Sequence, residues 1–147
     1  MKQLSVQIKQ VPGEQIIDLR WKILRAGLER STAVFAGDEL PTTRHFAAIR
    51  DGQVIGCATV LLNTWDGEAA WQLRGMAVDE GCQGQGIGRA ILLEIERSIL
   101  EQSDVRLMWC NARLAALGFY GGMGWDAVGD RFQIPTAGPH YKMTKRL

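Results

Sequence analysis

Three glycines at every second position, Gly84, Gly86 and Gly88, lie between an apolar stretch and a strongly helical pattern. Because glycine has no Cβ atom, the backbone N–H groups of such a segment can approach a ligand closely. The segment opens directly into the helical pattern. The first N–H groups of a helix have no partner within it, and the helix dipole favours anions there. The pattern therefore predicts a loop that binds phosphate.

Two common phosphate-binding patterns do not fit these glycines. A dinucleotide-binding loop requires G-x-G-x-x-G, but Arg89 or Ile91, depending on the frame, occupies the position of the third glycine. A Walker A loop requires lysine after its last glycine, where this chain has Ile87. Backbone N–H groups would therefore hold most of the phosphate. The alternative is a plain strand-to-helix connection, although repeated glycine costs chain entropy that such a turn does not need.

The segments around the loop predict a single α/β domain over residues 1–147. Strands are predicted at 6–11, 43–50, 53–63, 71–79, 104–111, 125–134 and 140–147, and helices at 12–28, 88–102 and 112–120. The segment 29–41 is either irregular or helical. Asp51-Gly52 favours a tight hairpin turn. The strand before the glycine loop and the strand after the long helix form a crossover unit, so we expect them to be parallel.

Composition and charge narrow the class of protein. The 147 residues carry a formal net charge of +1, which gives no general attraction to nucleic acid or to anionic membranes. Residues 1–5 lack the apolar core of a signal peptide, and no apolar run approaches the roughly 20 residues of a membrane span. The three cysteines have no metal-binding spacing. We therefore expect a cytoplasmic protein with free thiols, no metal, no nucleic acid partner and no membrane association.

The stretch Gln83-x-x-Gly86-x-Gly88 is similar to the Q/R-x-x-G-x-G/A signature of the GNAT superfamily of acetyl-CoA-dependent N-acetyltransferases. The strand before it, 73–79, corresponds to the family's signature strand. Residues 111–125 resemble the family's second signature, N-x-x-A-x-x-x-Y-x-x-x-G-F, with Trp125 in place of Phe. The resemblance covers residues 6–143. It implies a GNAT fold: a mixed, mostly antiparallel sheet of about six or seven strands with a splayed parallel pair, and about four helices.

The resemblance also implies acetyl-CoA as co-substrate. In the family the glycine loop binds the CoA diphosphate through backbone N–H groups, and a bulge in the signature strand, here at Gly75, opens a gap for pantetheine. The residues assigned to acetyl-CoA in this way are Met76, Ala77, Val78, Gln83, Gly84, Gln85, Gly86, Ile87, Gly88, Arg89, Asn111, Ala116, Phe119 and Tyr120. The N–H group of Met76 would lie near the acetyl carbonyl, where it could stabilise a developing oxyanion. For Arg89 the alternative is a solvated surface side chain.

Two further residues match family positions close to the chemistry. Tyr120 matches the general acid that protonates the leaving thiolate; the alternative is a tyrosine that only packs and hydrogen-bonds. Asn111 matches a residue that contacts pantetheine or an active-site water. It could also cap the helix predicted directly after it.

The general base is less well defined by the sequence. Many family members carry a glutamate on the signature strand, but residues 71–75 contain no carboxylate. His140 is the candidate base, because its ordinary pKa suits proton transfer near neutral pH. Other candidates are Asp66, Glu68, Asp79 or a chain of water molecules. Arg74 either orients an acidic substrate or forms a salt bridge.

The expected function is acetyl transfer from acetyl-CoA to a primary amine of a small molecule or peptide, by direct attack in a ternary complex. The alternative is a CoA-binding sensor or regulatory module without turnover. Cys82 and Cys110 flank the proposed cleft, and without a visible activating base we expect both to be structural. A homodimer is possible, and the acceptor amine is not specified by any motif.

Overall fold

The computed structural model describes residues 5–135 and 137–147. Residues 1–4 lie outside the described residues. They are part of the segment 1–5, for which no signal peptide is expected. The described part forms seven strands and three α-helices. In chain order these are β1 (Gln7–Val11), α1 (Ile17–Leu24), β2 (Arg44–Arg50), β3 (Gln53–Leu62), β4 (Trp71–Val78), α2 (Ile87–Gln102), β5 (Leu107–Arg113), α3 (Leu117–Gly122), β6 (Asp126–Ile134) and β7 (Gly138–Arg146).

The strands form one mixed sheet in the order β1-β2-β3-β4-β5-β7-β6. Only β4 and β5 pair in parallel, and their pairing covers just Trp71–Leu73 against Met108–Cys110. Beyond this short ladder β4 continues to Val78 and β5 to Arg113 without pairing to each other. The fold class predicted from the sequence, with its splayed parallel pair, is thereby confirmed.

Two turns with positive φ angles set the register of the antiparallel strands. Asp51 and Gly52 have φ angles of 51° and 74°, as a two-residue hairpin turn requires. Asp66 and Gly67 have φ angles of 48° and 77°, and their turn is closed by a bridge between Trp65 and Glu68. The turn at Asp51-Gly52 matches the prediction.

Helices cover both faces of the sheet. Four isoleucines at a spacing of four, Ile87, Ile91, Ile95 and Ile99, are buried and pack α2 against one face. On the opposite face α1 packs through Ile16, Ile17 and Leu19 against residues of β2, β3 and β4. Each fully buried aliphatic side chain contributes about 1.5–3 kcal/mol. No described helix is both long enough and apolar enough to cross a membrane.

The predicted helix at 12–28 is shorter than expected. A single 3-10 turn forms at Gly13–Gln15, and α1 ends at Leu24 because Arg25 leaves the helical region and Gly27 has a φ angle of +82°. The next segment, 29–41, contains only a 3-10 turn at Arg30–Ala33. The described chain therefore has three α-helices where about four were expected.

The helix predicted at 112–120 begins later. Asn111, Ala112 and Arg113 pair with Lys142, Tyr141 and His140 of β7, so the antiparallel ladder keeps these residues in β5. A 3-10 turn at Leu114–Ala116 follows, and α3 begins at Leu117. Gly121 and Gly122 belong to its last turn, so the helix ends two residues later than the predicted end at residue 120.

The predicted bulge in β4 is present at Gly75. Cys57 pairs with Ala77 and Thr59 pairs with Arg74, so two residues, Gly75 and Met76, oppose the single Ala58. Gly75 has a φ angle of +67°, which glycine adopts without steric cost. The bulge changes which face the later residues occupy: Met76 and Val78, like Leu73, pack in the core beneath α2.

We expect Gly75→Ala to destabilise the fold more than a matched change in an exposed turn. A Cβ atom at Gly75 would lie 3.0 Å from Nε of Arg20 and 3.4 Å from the Phe35 ring. The added crowding should cost about 1–3 kcal/mol, in addition to the roughly 1–2 kcal/mol of a side chain in the left-handed region. Urea denaturation gives the free energy of unfolding.

Gly67→Ala is the control, because Gly67 also has a positive φ angle but no atom within 4 Å of an added Cβ. It should lose only the backbone contribution. Equal losses in the two variants would contradict the close packing of Arg20 and Phe35 on the bulge.

Candidate functional site

A cleft of about 870 Å³ opens where β4 and β5 separate. Every residue that the sequence assigned to acetyl-CoA or to catalysis lines it, with the exception of Gln85. The side chain of Gln85 is turned to Arg50, whose guanidinium donates a hydrogen bond of 2.9 Å to its amide oxygen. The fold thus brings together segments from β4, the glycine loop, β5, α3 and β7.

The glycine loop has the geometry of an anion-binding site. Gly84 and Gly86 have φ angles of +78° and +79°, and a Cβ atom added at either position would meet no described atom within 4 Å beyond its chain neighbours. Within the described backbone, no carbonyl accepts a hydrogen bond from the N–H groups of residues 83–86. Helix α2 begins directly afterwards at Ile87, and none of the described side chains caps it. The N–H groups of the loop and of the first helical turn are therefore free for an anionic group.

The edge of β4 that faces β5 offers further unpaired backbone groups. The N–H of Asp79 donates to the carbonyl of Ile55 on β3, at 2.8 Å. Because hydrogen-bonding direction alternates along a strand, the N–H groups of Met76 and Val78 point away from β3 and into the cleft. The carbonyl of Val78 accepts a hydrogen bond of 3.1 Å from the Gln83 side chain. An extended ligand with amide groups could pair with this edge.

The cleft connects the two faces of the sheet. Met108, Cys110 and Ala112 of β5 belong to the core beneath α2. The alternating residues Asn111 and Arg113 therefore lie on the face that α1 covers. Met143 of β7 also packs beneath α2, which places His140 and Lys142 on the α1 face.

Tyr120 lies on the α2 side of the cleft, where it is 6% exposed. Its ring packs against Phe119 and Trp125, with centroid separations of 5.1 and 5.4 Å. Burial, and secondly the neighbouring Cys110, raise the pKa of the Tyr120 hydroxyl above its ordinary value. The hydroxyl therefore carries its proton at neutral pH and can donate it.

His140 lies on the other side, buried in β7. Its Nδ1 atom is 2.8 Å from the carbonyl oxygen of Gly138. Because a carbonyl only accepts hydrogen bonds, Nδ1 carries the proton, and Nε2 of the neutral ring keeps a lone pair. The ring packs near Phe132, with centroids 6.0 Å apart. The imidazole is thus held in the tautomer that can accept a proton at Nε2.

Asn111 lies inside β5, where its Oδ1 atom accepts a hydrogen bond of 3.2 Å from Lys142. The Lys142 ammonium group is also near the rings of Trp109 and Phe132, at 5.2 Å from each centroid. Since α3 begins only at Leu117, the alternative in which Asn111 caps that helix is wrong.

The other carboxylates proposed as bases do not line the cleft. Asp79 is paired with Lys22 at 2.9 Å, and Glu68 with Arg146 at 2.7 Å. Asp66 lies in the turn after β3. Of the candidates for a general base among described side chains, only His140 lines the cleft.

A buried cluster of charged side chains stabilises the wall of the cleft on the α1 face, which includes Arg25, Phe35 and Arg74 and is called the α1 wall below. The Arg20 guanidinium is fully buried and donates hydrogen bonds to Asp38 (2.6 Å), Thr59 (2.7 Å) and the carbonyl of Ala33 (2.8 Å). Arg74 pairs with the same carboxylate at 3.1 Å. This is the salt bridge that was one of its two predicted roles. His45 reaches Thr59 through Nδ1 at 2.8 Å.

Burial works to raise the pKa of Asp38, but hydrogen bonds from Arg20, the Phe35 N–H and Arg74, with the Arg20 charge, outweigh it and hold that pKa below its ordinary value. The Asp38 carboxylate is therefore charged in the folded protein at neutral pH. It is the group that offsets the two arginines of the α1 wall.

Several residues that line the cleft were not found from the sequence, among them one aromatic residue and two arginines. Arg25 and Phe35 come from the segment after α1 that carries no motif, and Arg113 lies within the second signature, two residues after its Asn111. Alternation along β5 from Asn111 would have placed Arg113 on the same face, had the strand been extended beyond residue 111. No pattern in the sequence marks Arg25 or Phe35.

The buried cysteine of the cleft is not activated. Burial raises the pKa of the Cys110 thiol to about 12. It stays protonated at neutral pH, and a protonated thiol is a poor nucleophile. This agrees with a structural role for Cys110.

Comparison with known proteins identifies the family. Residues 14–125 match the model of the acetyltransferase (GNAT) family. The chain is 31% identical over 148 residues to the uncharacterized N-acetyltransferase YitI of Bacillus subtilis (strain 168), with 97% of each chain covered. It is similar to the crystal structure of an aminoglycoside 6'-N-acetyltransferase complexed with coenzyme A, with a TM-score of 0.77, 15% identity, and coverage of 95% of this chain and 96% of that one. Escherichia coli ElaA gives a TM-score of 0.77 at 16% identity, over 98% of this chain and all (100%) of that one.

The buried cluster predicts a pH-dependent stability. Because the pKa of Asp38 is lowered on folding, its charge stabilises the protein above the ordinary carboxyl range near about pH 4. This contribution is lost as the pH falls through the folded pKa. Asp38→Asn leaves two arginines unbalanced, so at neutral pH it should lower the free energy of unfolding by about 3 kcal/mol. The difference from wild type should shrink as the pH is lowered below about 4.

Asp18→Asn is the control for this measurement by chemical denaturation. Asp18 pairs with Arg30 on the surface, where its side chain is 82% exposed. Its removal should change stability little at any pH. A difference between wild type and Asp38→Asn that stays constant on acidification would contradict the role of the Asp38 charge.

Proposed function

The chain belongs to the acetyltransferase (GNAT) family and is an acyltransferase, and we propose that it transfers an acetyl group from acetyl-CoA to a primary amine of a small molecule or peptide. The observation that carries the proposal is the cleft between β4 and β5. It joins a free glycine loop, an unpaired strand edge and a buried tyrosine in one continuous site. We propose direct attack of the amine on the thioester, with both substrates bound together.

The cleft suits an extended ligand with a diphosphate at one end. The open glycine loop and the first turn of α2 supply N–H groups to phosphate oxygens, and Arg89 at the same position adds a positive charge. The N–H groups of Met76 and Val78 would pair with the amides of the pantetheine arm. Ala116 and Phe119 form the wall on the α3 side.

Three groups of the chain can act on the reacting atoms. The acetyl thioester supplies an electrophilic carbonyl when it is bound. The Met76 N–H would donate a hydrogen bond to the carbonyl oxygen as negative charge develops on it. Tyr120, which is protonated at neutral pH, would donate its proton to the departing sulfur.

The amine would approach from the α1 face, where His140 lies. The lone pair on Nε2 of His140 can accept the proton that the amine releases, directly or through a water molecule. Asn111, held by Lys142 on the same face, would orient that water or the pantetheine arm. In this arrangement the acid and the base act from opposite faces of the sheet.

A sensor that binds CoA without turnover is the alternative. The absence of a strand carboxylate in residues 71–75 favours it. The position of Tyr120, which lines the cleft and carries a proton at neutral pH, favours the enzyme. Membership of an acetyltransferase family also supports catalysis.

The direct test follows release of the CoA thiol from acetyl-CoA with a panel of primary amines, and mass spectrometry identifies the acetylated product. We expect turnover with at least one class of amine. Thermal stabilisation by acetyl-CoA without turnover of any amine would favour the sensor instead.

Tyr120→Phe separates chemistry from binding. Removal of a general acid typically costs a factor of about 10²–10⁴ in rate, so kcat should fall strongly, while the Kd for acetyl-CoA measured by calorimetry should change little. Tyr141→Phe is the control, because Tyr141 is the only other tyrosine and does not line the cleft. An unchanged kcat for Tyr120→Phe between about pH 6 and 9 would contradict an acid role.

A further inference from the structure

The charges that line the cleft have one sign. Arginines line it at four positions, Arg25, Arg74, Arg89 and Arg113. No aspartate or glutamate of the described residues does so. The protein as a whole is nearly neutral, at +1. The positive charge is therefore concentrated at the site.

Apart from Arg89 at the glycine loop, two of these arginines, Arg25 and Arg113, have no carboxylate partner among the described residues. Arg74 is paired with Asp38, and Arg89 lies at the glycine loop. Among the described residues, Arg25 donates only to the carbonyl of its own neighbour, Leu24, at 2.9 Å. For Arg113 the ion pairs and hydrogen bonds of residues 5–135 and 137–147 provide no carboxylate partner. Both side chains are only partly exposed.

Arg25 and Arg113 line the same cleft, and their positive charges repel each other. Burial lowers the pKa of the Arg25 guanidinium, and the positive charges of Arg113 and Arg20 lower it further. The Arg25 guanidinium also lies over the Phe35 ring, 4.9 Å from its centroid, and Arg20 covers the same ring at 4.0 Å. Like charges held together in a partly buried site are unfavourable unless an anion binds between them.

Arg25 and Arg113 lie where the acceptor would bind and not where the diphosphate would bind. Arg113 and His140 pair across β5 and β7 on the α1 face, and Arg25 follows the last residue of α1. The glycine loop and Arg89 adjoin the start of α2, which packs on the opposite face. An anion bound by Arg25 and Arg113 would therefore lie beside the amine and its base.

Resting on the proposed function, we propose that the acceptor is a small amine that also carries a carboxylate, such as an amino acid, and that Arg25 and Arg113 bind this carboxylate. Guanidinium groups bind carboxylates through two parallel hydrogen bonds, which fixes the orientation of the acceptor. The amine then faces His140 and the thioester. Polycationic acceptors, including polyamines and aminoglycosides, are disfavoured, because on this face they would meet Arg25 and Arg113 and no acidic side chain of the described residues.

The first experiment needs no variant. Thiol release from acetyl-CoA is measured with the standard amino acids, and for each active one also with its primary amide and its decarboxylated amine. Spermidine and kanamycin complete the panel. We expect kcat/KM to be at least about tenfold higher for the amino acid than for its amide, since a charged hydrogen-bond pair is lost in the amide. Equal or faster turnover of the amides, or a preference for spermidine or kanamycin, would overturn the proposal.

The second experiment assigns the residues. Arg25→Gln and Arg113→Gln should each raise KM for the amino acid about tenfold or more, and leave KM for its amide nearly unchanged. Arg30→Gln is the control, because Arg30 follows in the same segment but pairs with Asp18 outside the cleft. It should behave as wild type.

The Kd for acetyl-CoA separates the two possible sources of the anion. If Arg25 and Arg113 bound a phosphate of CoA, the Gln variants would weaken acetyl-CoA binding, and the proposal would be overturned. An unchanged Kd with a raised KM for the amino acid supports it. Turnover of amides or polyamines with an intact Kd overturns only this inference. No turnover of any amine refutes the proposed function itself.

Discussion

The bulge at Gly75 is the constraint on which the rest of the structure depends. β4 must pair with β3 along its length, yet it keeps only a three-residue ladder with β5. By inserting one extra residue, the bulge turns the N–H groups of Met76 and Val78 toward the separating strand and returns their side chains to the core beneath α2. Access to the cleft, the free strand edge and the packing of that edge all follow from one glycine with a positive φ angle.

Buried ion pairs stabilise the α1 wall, whereas apolar packing stabilises the opposite wall of the cleft, beneath α2. Arg20 is fully buried and is balanced by Asp38, while Arg74 takes the remaining carboxylate oxygen. Breaking such a buried pair is costly because it leaves an uncompensated charge. The wall can therefore present Phe35 and Arg25 in a fixed arrangement, although the segment after α1 has little regular structure. The two faces thus have different chemistry, apolar and phosphate-binding on one side, cationic on the other.

The sequence predicts local features of this fold well and contacts between distant residues poorly. Asp51-Gly52, the isoleucines of α2 and the crossover between β4 and β5 are defined by short patterns, and the structure has them. The segment 111–113 was assigned to a helix in part, because only pairing with β7, some thirty residues later, keeps it extended. Arg20 is one more polar residue in an amphipathic helix until Asp38 and Thr59 are folded against it. For the same reason the alignment of Arg25 with Arg113 has no counterpart in any motif.

The central claim is that acetyl-CoA binds to the free edge of β4 and to the glycine loop. Amide hydrogen exchange by NMR, with and without acetyl-CoA, tests it most directly, because it measures the protection of each N–H group separately. The N–H groups of Met76 and Val78, and those of residues 84–88, should become protected when acetyl-CoA binds. The N–H of Ala77, which points to β3, should be protected already and change little. Protection of Ala77 with no change at Met76 and Val78, or protection confined to residues outside the cleft, would contradict the account.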